Sequence, residues 1–359
     1  MLLKILNWLL VLILLLVSTG ILFVWFITWH PAALEESRVY NSPSLPRLQA
    51  GQTIKIMSWN VQYLAGKNYV FFYDLLDDSG PDERPSSEDI EHTLHKVVKT
   101  IKNENPDVIM LQELDDDAGR TDRENQVARL LGLLPDEYGA HTSVWYWKSL
   151  FVPHSRIMSA VGMKLTVISK YQLKSSRRHA LPLIPGSWLV QQFNLKRALQ
   201  EVILPVGERD ELILINTHLD AFAQGTNTME KQVDKIRRLL KELSNAEKKW
   251  LIAGDFNLLP DKKAFERLPE KQRAYFKPNT ELNKLSGKYP RIPSPQDVQG
   301  KNYQKWFTHF PNDPEVKSPD RTIDYFFVSP LLEVLNYQVR HKHTLDISDH
   351  LPLIVEVKI

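Results

Sequence analysis

The sequence predicts one α/β sandwich domain preceded by a single N-terminal transmembrane helix. From Gly51 onwards, apolar runs of strand length alternate with runs of helical spacing, which is typical of α/β proteins. About 310 residues follow the first 50, a length within the range of one large domain. Hydrophobic residues make up 43% and charged residues 25% of the chain, so a sizeable core can be buried.

The first feature along the chain is an uncharged stretch over residues 5–29, whose clearly polar side chains are Asn7, Ser18, Thr19 and Thr28. About 25 such residues can cross a bilayer as a helix. The apolar region of a cleaved signal peptide usually has about 7 to 15 residues, so we interpret this stretch as an uncleaved signal anchor. A cleaved signal peptide and a buried core helix are the alternatives.

The charges that flank this helix set its predicted orientation. Lys4 and the terminal amine precede the helix, whereas acidic and basic residues follow it together, which favours residues 1–4 in the cytoplasm. The globular domain, 53–359, is then expected on the extracytoplasmic side of the membrane, as the larger part of a single-pass protein. Residues 30–52 are rich in proline and are expected to form a linker.

Within the domain, the predicted elements follow one another at regular intervals. Residues 54–59 alternate at period two, 90–101 have helical spacing, and 108–111 form a strand that ends just before Glu113. Further strands are predicted at 161–168, 199–204, 212–215, 250–253, 325–328 and 353–357, and a helix at 229–243. The acidic stretch 74–91 and the proline-rich stretch 277–320 are expected to be long surface loops.

Composition excludes several classes of function. The chain carries 45 basic and 43 acidic side chains and a formal charge of +2, without the basic stripe that gives general affinity for nucleic acid. It has no cysteine, so disulfides, thiolate nucleophiles and thiolate metal sites are excluded. A metal must be held by oxygen and imidazole, which favours Mg²⁺, Mn²⁺ or Ca²⁺ over zinc. The sequence also lacks a GxxxxGK[ST] phosphate loop.

Six short polar motifs lie next to the apolar runs and read, in chain order, SWN, QE, NTH, GDFN, TID and SDH. They place carboxylates, carboxamides and imidazoles where strand ends can converge on one hydrated cation. These are the groups that metal-assisted hydrolysis of a phosphoester requires.

The extended motifs SWNVQYL, LQEL, NTHLDAF, GDFN, TIDYFFVS and SDHLPLIVEV are similar, in order, to the endonuclease/exonuclease/phosphatase superfamily. Its members include pancreatic-type DNases, abasic-site endonucleases, inositol polyphosphate phosphatases and sphingomyelinases. The resemblance covers residues 54–359. It implies a four-layered α/β sandwich, in which helices flank two mostly antiparallel sheets, and a phosphodiesterase activity that depends on Mg²⁺, with Mn²⁺ as the alternative.

The first group of candidate residues concerns the metal and the attacking water. Glu113 is predicted to be the principal metal carboxylate, with Asn60 beside it as a neutral oxygen ligand or a donor to the phosphate. Asp255 and Asn257 flank Phe256 and are expected on the same side of an extended turn. The resemblance implies that they orient and deprotonate a water, and both are also candidate metal ligands. The alternative for this pair is an Asx-turn.

The second group concerns the imidazoles. We predict that Asp324 pairs with His350, since a carboxylate that accepts from one imidazole nitrogen leaves the other nitrogen to donate to a phosphoryl oxygen. Asp349 is assigned to the metal site. The resemblance places His218 on the opposite side of the phosphate, and Asn216 is expected to support the same cluster. The alternative for each histidine is a structural role.

Three functions remain open at this stage. The favoured one is a membrane-anchored phosphodiesterase acting on a lipid headgroup or another phosphodiester, because NTHLDAFAQG is closest to the lipid-cleaving branch and an anchor raises the local concentration of lipid. The second is an anchored or released nuclease acting on nucleic acid, and the third is a non-enzymatic interaction protein. Aromatic runs at 69–73 and 145–147 either contact the bilayer or belong to the core. The oligomeric state is left open.

Overall fold

The computed structural model describes residues 1–221 and 223–359 of the chain. Phe222, which belongs to the motif NTHLDAF, lies outside the described residues. The helices are α1 (Leu2–Ile27), α2 (Ser87–Glu104), α3 (Gln126–Leu133), α4 (Trp188–Phe193), α5 (Thr228–Asn245), α6 (Lys262–Arg267), α7 (Glu270–Arg273), α8 (Asn283–Ser286) and α9 (Pro295–Gln299). Short 3₁₀ turns span Gln62–Leu64, Gly119–Thr121 and Tyr303–Trp306.

The strands form two seven-stranded sheets. They are β1 (Leu34–Ser37), β2 (Val39–Asn41), β3 (Thr53–Asn60), β4 (Val108–Asp115), β5 (Ala140–Val152), β6 (Ser159–Ser169), β7 (Ser175–Ala180), β8 (Ala198–Val206), β9 (Asp210–His218), β10 (Lys249–Asp255), β11 (Arg291–Ile292), β12 (Asp324–Val328), β13 (Glu333–Val339) and β14 (Leu353–Lys358). The first sheet has the order β13-β14-β3-β4-β6-β5-β2, and the second has the order β1-β7-β8-β9-β10-β12-β11.

Both sheets are mostly antiparallel, as the resemblance implies. Among the described residues, the parallel neighbours are β3 with β4 in the first sheet and β9 with β10 in the second. Parallel strands require a crossover connection, and α2 and α5 lie in the connections of these two pairs. The two parallel pairs therefore have their carboxyl ends free of tight hairpins, where loops can carry functional residues.

Three apolar clusters hold the layers together. Residues such as Ile56 and Met110 of the first sheet pack against Leu214 and Leu251 of the second in a core between the sheets. A second cluster joins α2 and α3 to the outer face of the first sheet, and a third joins α5 to the outer face of the second. The order of layers is thus helix, sheet, sheet, helix, which confirms the predicted four-layered sandwich.

Both long helices of the domain follow from the amphipathic patterns in the sequence. In α2 the buried side chains include Ile90, Leu94, Val97 and Ile101, at the spacing of one helical face. The side chain of Ser86 accepts the backbone N–H of Asp89 at 3.1 Å and caps this helix. The predicted ranges 90–101 and 229–243 lie within α2 and α5, which extend beyond them at both ends.

The N-terminal helix α1 is a candidate membrane span. Its 26 residues are long and apolar enough to cross a bilayer, and its side chains are exposed up to Ile27, which is buried. The helix ends against the domain, because the backbone carbonyl of Ile27 accepts a hydrogen bond from the Ser149 hydroxyl of β5 at 3.0 Å. Thr28 also forms a β-bridge with Ser149.

Residues 34–41 differ from the expectation of a free linker. β1 pairs with β7 at one edge of the second sheet, and β2 pairs with β5 at one edge of the first. This segment therefore extends both sheets on the same side of the domain. Its sequence, LEESRVYN, lacks the apolar runs by which the other strands were predicted, because edge strands bury little.

Strand β5, the longest among the described residues, has no counterpart among the elements predicted from the sequence. Tyr146 is buried in it, whereas Trp145 and Trp147 are only half-buried. In the structure, buried and half-buried side chains alternate along β5. The sequence does not show this alternation, because a strand pattern is recognised by polar residues on the outer face and all three residues here are aromatic. Tyr146 thus belongs to the core, and Trp147 lines a cavity described below.

Candidate active site

The candidate site lies at one end of the two sheets. Asn60 ends β3 and Glu113 lies near the end of β4, while His218 and Asp255 end β9 and β10. Asp324 begins the antiparallel β12 and pairs in register with Asp255. Because the carboxyl ends of the two parallel pairs meet at this edge, residues far apart in sequence line one cavity of about 160 Å³.

Glu113 reaches the site through an irregular backbone. Its φ is +60°, which is unfavourable for a residue with a Cβ, and it interrupts the pairing of β4 with β6. The Asn60 side-chain nitrogen donates to Glu113 Oε1 at 3.1 Å and to Asp255 Oδ2 at 3.3 Å. The Asn60 oxygen accepts the backbone N–H of Gln62 at 3.0 Å, so the nitrogen side of the amide faces the carboxylates.

Asp255 is the centre of the cluster. Its Oδ2 lies 3.2 Å from His218 Nε2 and 3.4 Å from His350 Nε2. Its Oδ1 accepts the backbone N–H of Asn257 at 2.9 Å, so one carboxylate both closes the turn and faces the imidazoles. Burial raises the pKa of Asp255 to about 7, with His350 opposing the shift and Asp324 adding to it.

Gly254 allows the ends of β9 and β10 to approach each other. Its φ is +144°, and a Cβ at this position would lie 1.9 Å from the carbonyl oxygen of Thr217. Only glycine fits this contact. The motif GDFN therefore combines a close strand approach with the carboxylate of Asp255 and with the ring of Phe256, which is fully buried.

His350 is held as a cation. Its Nδ1 donates to Asp324 Oδ2 at 2.9 Å, the pairing that the sequence analysis predicts. Burial alone would lower the pKa of His350, but Asp324, Asp255 and Asp349 outweigh it and raise the pKa to about 10. The Trp59 indole donates to the backbone carbonyl of His350 at 2.9 Å, which ties the histidine to the end of β3.

His218 is held as a neutral imidazole. Burial lowers its pKa well below the usual value, and the positive charges of Arg197 and His350 lower it further. Its Nδ1 lies 3.5 Å from the Tyr146 hydroxyl and 3.6 Å from Glu113 Oε1. The two predicted histidines thus flank Asp255 with opposite preferences for a proton, an arrangement suited to separate roles.

Asp349 lies beside His309, a residue that the sequence analysis does not single out. His309 Nε2 is 3.8 Å from Asp349 Oδ2, and its ring stands edge-on to that of His350 with centroids 4.5 Å apart. Burial and then His350 lower the pKa of His309 to about 3. Burial alone would raise the pKa of Asp349, but His350 and His309 outweigh burial and hold this pKa below its usual range.

Asn216 lies inside the sandwich and not at the cavity. It is fully buried and accepts from the Gln112 amide at 2.7 Å, while its own nitrogen donates to the backbone carbonyls of Leu111 and Thr166. These contacts join β9 to the first sheet. Asn216 therefore supports the ends of β9 and β4 from inside the sandwich, as its expected supporting role requires, and it does not line the cavity.

Arg197 and Lys67 also line or approach the cavity and were not found from the sequence. Arg197 Nε lies 3.3 Å from Asp220 Oδ1, and its Nη1 has no hydrogen-bond partner among residues 1–221 and 223–359. Lys67 donates to the Asn312 side chain at 2.7 Å, and burial lowers its pKa to about 8. Neither residue lies in a polar motif at a strand exit, so the sequence carries no local signal for them.

The donor set fits a hard divalent cation. Glu113, Asp255 and Asp349 bring carboxylates into one largely buried cavity. Burial raises the pKa of Glu113, and the charge of Asp349 raises it further. Crowded buried carboxylates of this kind are stabilised by a bound cation with oxygen preference. His309, whose pKa is lowered to about 3, offers a ring nitrogen beside Asp349 as an additional ligand atom.

The motifs predict a class of protein with two features that the structure has. One is a two-sheet α/β sandwich, and the other is an acid–imidazole cluster at the carboxyl ends of its central strands. The family model described as "Endonuclease/Exonuclease/phosphatase family" matches residues 57–350. The chain belongs to this family, which confirms the resemblance found in the sequence. Members of the family are mostly phosphoesterases and nucleases, and they generally use divalent metals.

Solved structures have the same fold. An endonuclease/exonuclease/phosphatase from Beutenbergia cavernae DSM 12333 is 20% identical, with 86% of this chain and 72% of that chain covered and a TM-score of 0.55. A family protein from Leptotrichia buccalis C-1013-b is 16% identical, with coverages of 85% and 100% and a TM-score of 0.54.

TDP2 from C. elegans is 16% identical to this chain, with 87% of this chain and 76% of that chain covered and a TM-score of 0.50. At such identities the similarity shows the fold alone. No curated protein matches the sequence.

Proposed function

We propose that this protein is a membrane-anchored, metal-dependent phosphodiesterase that hydrolyses a phosphodiester in a lipid headgroup. The observation that carries the proposal is the arrangement around Asp255. One buried carboxylate lies between a cationic imidazole, His350, and a neutral imidazole, His218, within 3.4 Å of both. This geometry supports attack on a phosphoryl group by a water that the protein itself orients.

Asp255 is suited to accept the proton of the attacking water. Its pKa of about 7 allows it to be ionised before the reaction and protonated during it near neutral pH. The turn that Asn257 closes onto Asp255 Oδ1 fixes the orientation of the carboxylate and leaves Oδ2 facing the cavity. The proposed base, Asp255, is therefore positioned by a hydrogen bond from the backbone of its own turn.

His350 is suited to stabilise the charge that develops on the phosphoryl group. Asp324 accepts a hydrogen bond from Nδ1 of His350, and because the pKa of His350 is raised to about 10, Nε2 also carries a proton and faces the cavity. His218 presents a neutral ring on the other side of Asp255. A positioned donor of this kind acts most strongly in a water-poor cavity, where the protein charges need not reorganise during the reaction.

A divalent ion, Mg²⁺ or Mn²⁺, would be held by Glu113 and Asp349, with Asn60, Asp255 and Asn257 beside them. When bound, it would supply Lewis-acid polarisation of a phosphoryl oxygen. The Asn60 nitrogen faces the carboxylates, so its role as a donor that fixes Glu113 is better supported than its role as an oxygen ligand.

Two features support a lipid as the substrate. The candidate span α1 ends directly against β5 of the domain, which would keep the site close to a bilayer and raise the effective concentration of headgroups. The formal charge of +2 offers little of the general attraction on which nucleic-acid binding depends. We place the domain on the extracytoplasmic side from the charges that flank α1.

The proposal is tested with the full-length protein in detergent, incubated with Mg²⁺ and a panel of phospholipids, nucleic acids and inositol phosphates. We expect metal-dependent release of a phosphorylated or dephosphorylated headgroup from a phospholipid. The Glu113→Gln variant should lose this activity, whereas Glu333→Gln, at an exposed glutamate of β13, should retain it. Cleavage of nucleic acid without turnover of any lipid would contradict the proposed substrate and favour a nuclease.

A further inference from the structure

A second and larger cavity lies beside the catalytic one. Its volume is about 460 Å³, within the usual range for sites that hold an organic ligand. It shares the side chains of Tyr63, Tyr73, Glu113 and Arg197 with the catalytic cavity. A molecule bound in both cavities would therefore pass the candidate metal carboxylate at the junction between them.

Much of the wall of this second cavity is apolar. Its lining includes the side chains of Phe72, Trp147, Ile157, Val161, Met163 and Leu195. Four of them come from the β5–β6 hairpin, Phe72 comes from the connection between β3 and α2, and Leu195 comes from the connection between α4 and β8. Such a surface gains free energy by covering hydrocarbon and offers nothing to the hydrogen-bonding edge of a base or sugar.

Most polar groups of the second cavity are paired within the protein, and Arg197, whose Nη1 has no partner among the described residues, lies at the junction with the catalytic cavity. At the rim, Arg156 lies 3.1 Å from Glu83, and Arg84 lies 2.5 Å from Asp122. At the junction, Arg120 pairs with the buried Asp115 at 2.8 Å, and the hydroxyls of Tyr63 and Tyr73 contact each other. The cavity thus presents apolar surface and few unused donors, which fits a hydrocarbon chain better than a second charged group.

The second cavity adjoins the end of α1. Trp147, in its wall, is two residues from Ser149, which receives the end of α1, so the two points are about 7 Å apart along the strand. The Trp147 indole donates to the carbonyl of Phe193 in α4 at 2.7 Å.

Large apolar side chains are exposed around this edge, on the hairpin (Leu150, Phe151 and Met158) and on α4 (Trp188, Leu189 and Val190). Exposed apolar residues grouped in this way mark a contact surface for membrane or protein.

We propose that the second cavity binds the hydrocarbon chain of an amphiphilic phosphoester, taken from the bilayer in which α1 lies, while the phosphate occupies the catalytic cavity. The inference rests on the proposed function and deepens it, because it names a chain-bearing substrate and the surface that selects it. The exposed apolar residues of the hairpin and of α4 then face the bilayer from which the chain enters.

The test uses two phosphodiesters that differ only in their chain, ethyl p-nitrophenyl phosphate and hexadecyl p-nitrophenyl phosphate. The full-length protein is assayed with Mg²⁺ in excess nonionic detergent, and kcat/KM is taken from release of p-nitrophenolate. We expect the hexadecyl ester to be preferred by about ten-fold or more, since burial of a few methylenes is sufficient for that ratio.

Two variants change the cavity without touching the catalytic cluster. Ile157→Asp places a charge in the wall from a half-buried turn position, and Val161→Trp fills the space from β6. Each should reduce the preference for the hexadecyl ester to near one. Leu335→Asp is the matched control, since Leu335 is an exposed apolar residue of β13, at the opposite edge of the first sheet from β5. This variant should prefer the hexadecyl ester as strongly as the unmodified protein does.

The outcomes separate this inference from the proposed function. Hydrolysis of the ethyl ester without preference for the hexadecyl ester would overturn the assignment of the second cavity and leave the phosphodiesterase intact. A preference that persists in both Ile157→Asp and Val161→Trp would overturn it as well, because the selection would then come from the detergent interface. Failure to hydrolyse either ester would overturn the proposed function together with the inference.

Discussion

Replacing Asp324 with asparagine is the perturbation that most directly probes His350. The contact between His350 Nδ1 and Asp324 Oδ2 is 2.9 Å, so the two charge centres are about 4 Å apart, and at an effective dielectric constant of about 20 they interact by about 4 kcal/mol. That energy corresponds to about three pKa units. The variant should therefore lower the pKa of His350 from about 10 to about 7.

The consequence is a change in the pH dependence of turnover. His350 acts as a cation, so activity that depends on it is present below its pKa and is lost as the pH rises through it. Asp324→Asn should lose activity progressively above about pH 7, whereas the unmodified protein should not lose it from this group below about pH 9. At pH 8 the loss should reach about 10² to 10³ in kcat, since the imidazole is then both neutral and wrongly oriented.

The assay is hydrolysis of bis(p-nitrophenyl) phosphate with Mg²⁺ between pH 6 and pH 9. The variants are Asp324→Asn, His350→Ala and their combination, and Asp136→Asn, at an exposed aspartate, is the control. The double variant should lose far less than the product of the single losses, because the two residues act as one unit. Strictly multiplicative losses, or a pH profile that Asp324→Asn leaves unchanged, would refute the pairing.

Three further predictions concern the metal, stability and topology. Glu113→Gln should weaken the binding of Mg²⁺ or Mn²⁺ measured by isothermal titration while the thermal unfolding temperature stays nearly the same, and an unchanged affinity would remove Glu113 from the ligand set. Burial and then Asp349 raise the pKa of Asp74 to about 7; ionisation therefore costs more in the folded state, and stability declines as the pH rises from about 4 to about 7. Asp74→Asn should accordingly be more stable than the unmodified protein at pH 8 in EDTA and equally stable at pH 4. The expected gain at pH 8 is only about 1 kcal/mol, because the side chain is partly exposed and solvent screens its charge. Equal stability at pH 8 would contradict the burial argument. Protease added on the outer side of the membrane that α1 is proposed to span should digest the domain, and protection until that membrane is lysed would reverse the proposed orientation.

The fold and the core of the site could be predicted from sequence because both leave local signals. Apolar runs of strand length predict the central strands, and polar motifs at their ends predict Asn60, Glu113 and Asp255. The pairing of Asp324 with His350 could also be proposed, since the motifs TID and SDH belong to one ordered series and place a carboxylate and an imidazole beside apolar strands. These residues converge in the structure because the parallel pairs bring their carboxyl ends to one edge.

Other parts of the site depend on tertiary contacts that no local pattern contains. His309 lies in a long proline-rich segment and reaches the cluster through a β-bridge with His350, so its position follows from the closure of that segment. The left-handed backbone of Glu113 is imposed by the interrupted pairing of β4 with β6. The charge states of His218 and His350 depend on burial and on neighbours brought together by the fold, which sequence spacing cannot supply.

The edge strands β1 and β2 could not be predicted from the sequence for a different reason. They pair through backbone hydrogen bonds and bury few side chains, so composition and proline content predicted a linker instead. The same pairing fixes the segment between α1 and the domain against both sheets. The contact of α1 with Ser149, two residues from Trp147, links the candidate span to the second cavity, and the sequence alone did not indicate it.

The central claim is that the acid–imidazole cluster hydrolyses a phosphodiester with a divalent metal. Its most direct test is the rate of bis(p-nitrophenyl) phosphate hydrolysis by the full-length protein with Mg²⁺, with excess EDTA, and with Mg²⁺ in the variants His218→Ala and His350→Ala. We expect activity that EDTA abolishes and that each variant reduces by about 10² to 10³, with thermal stability nearly unchanged. Activity that survives EDTA, or that persists at full rate in both variants, would contradict the account.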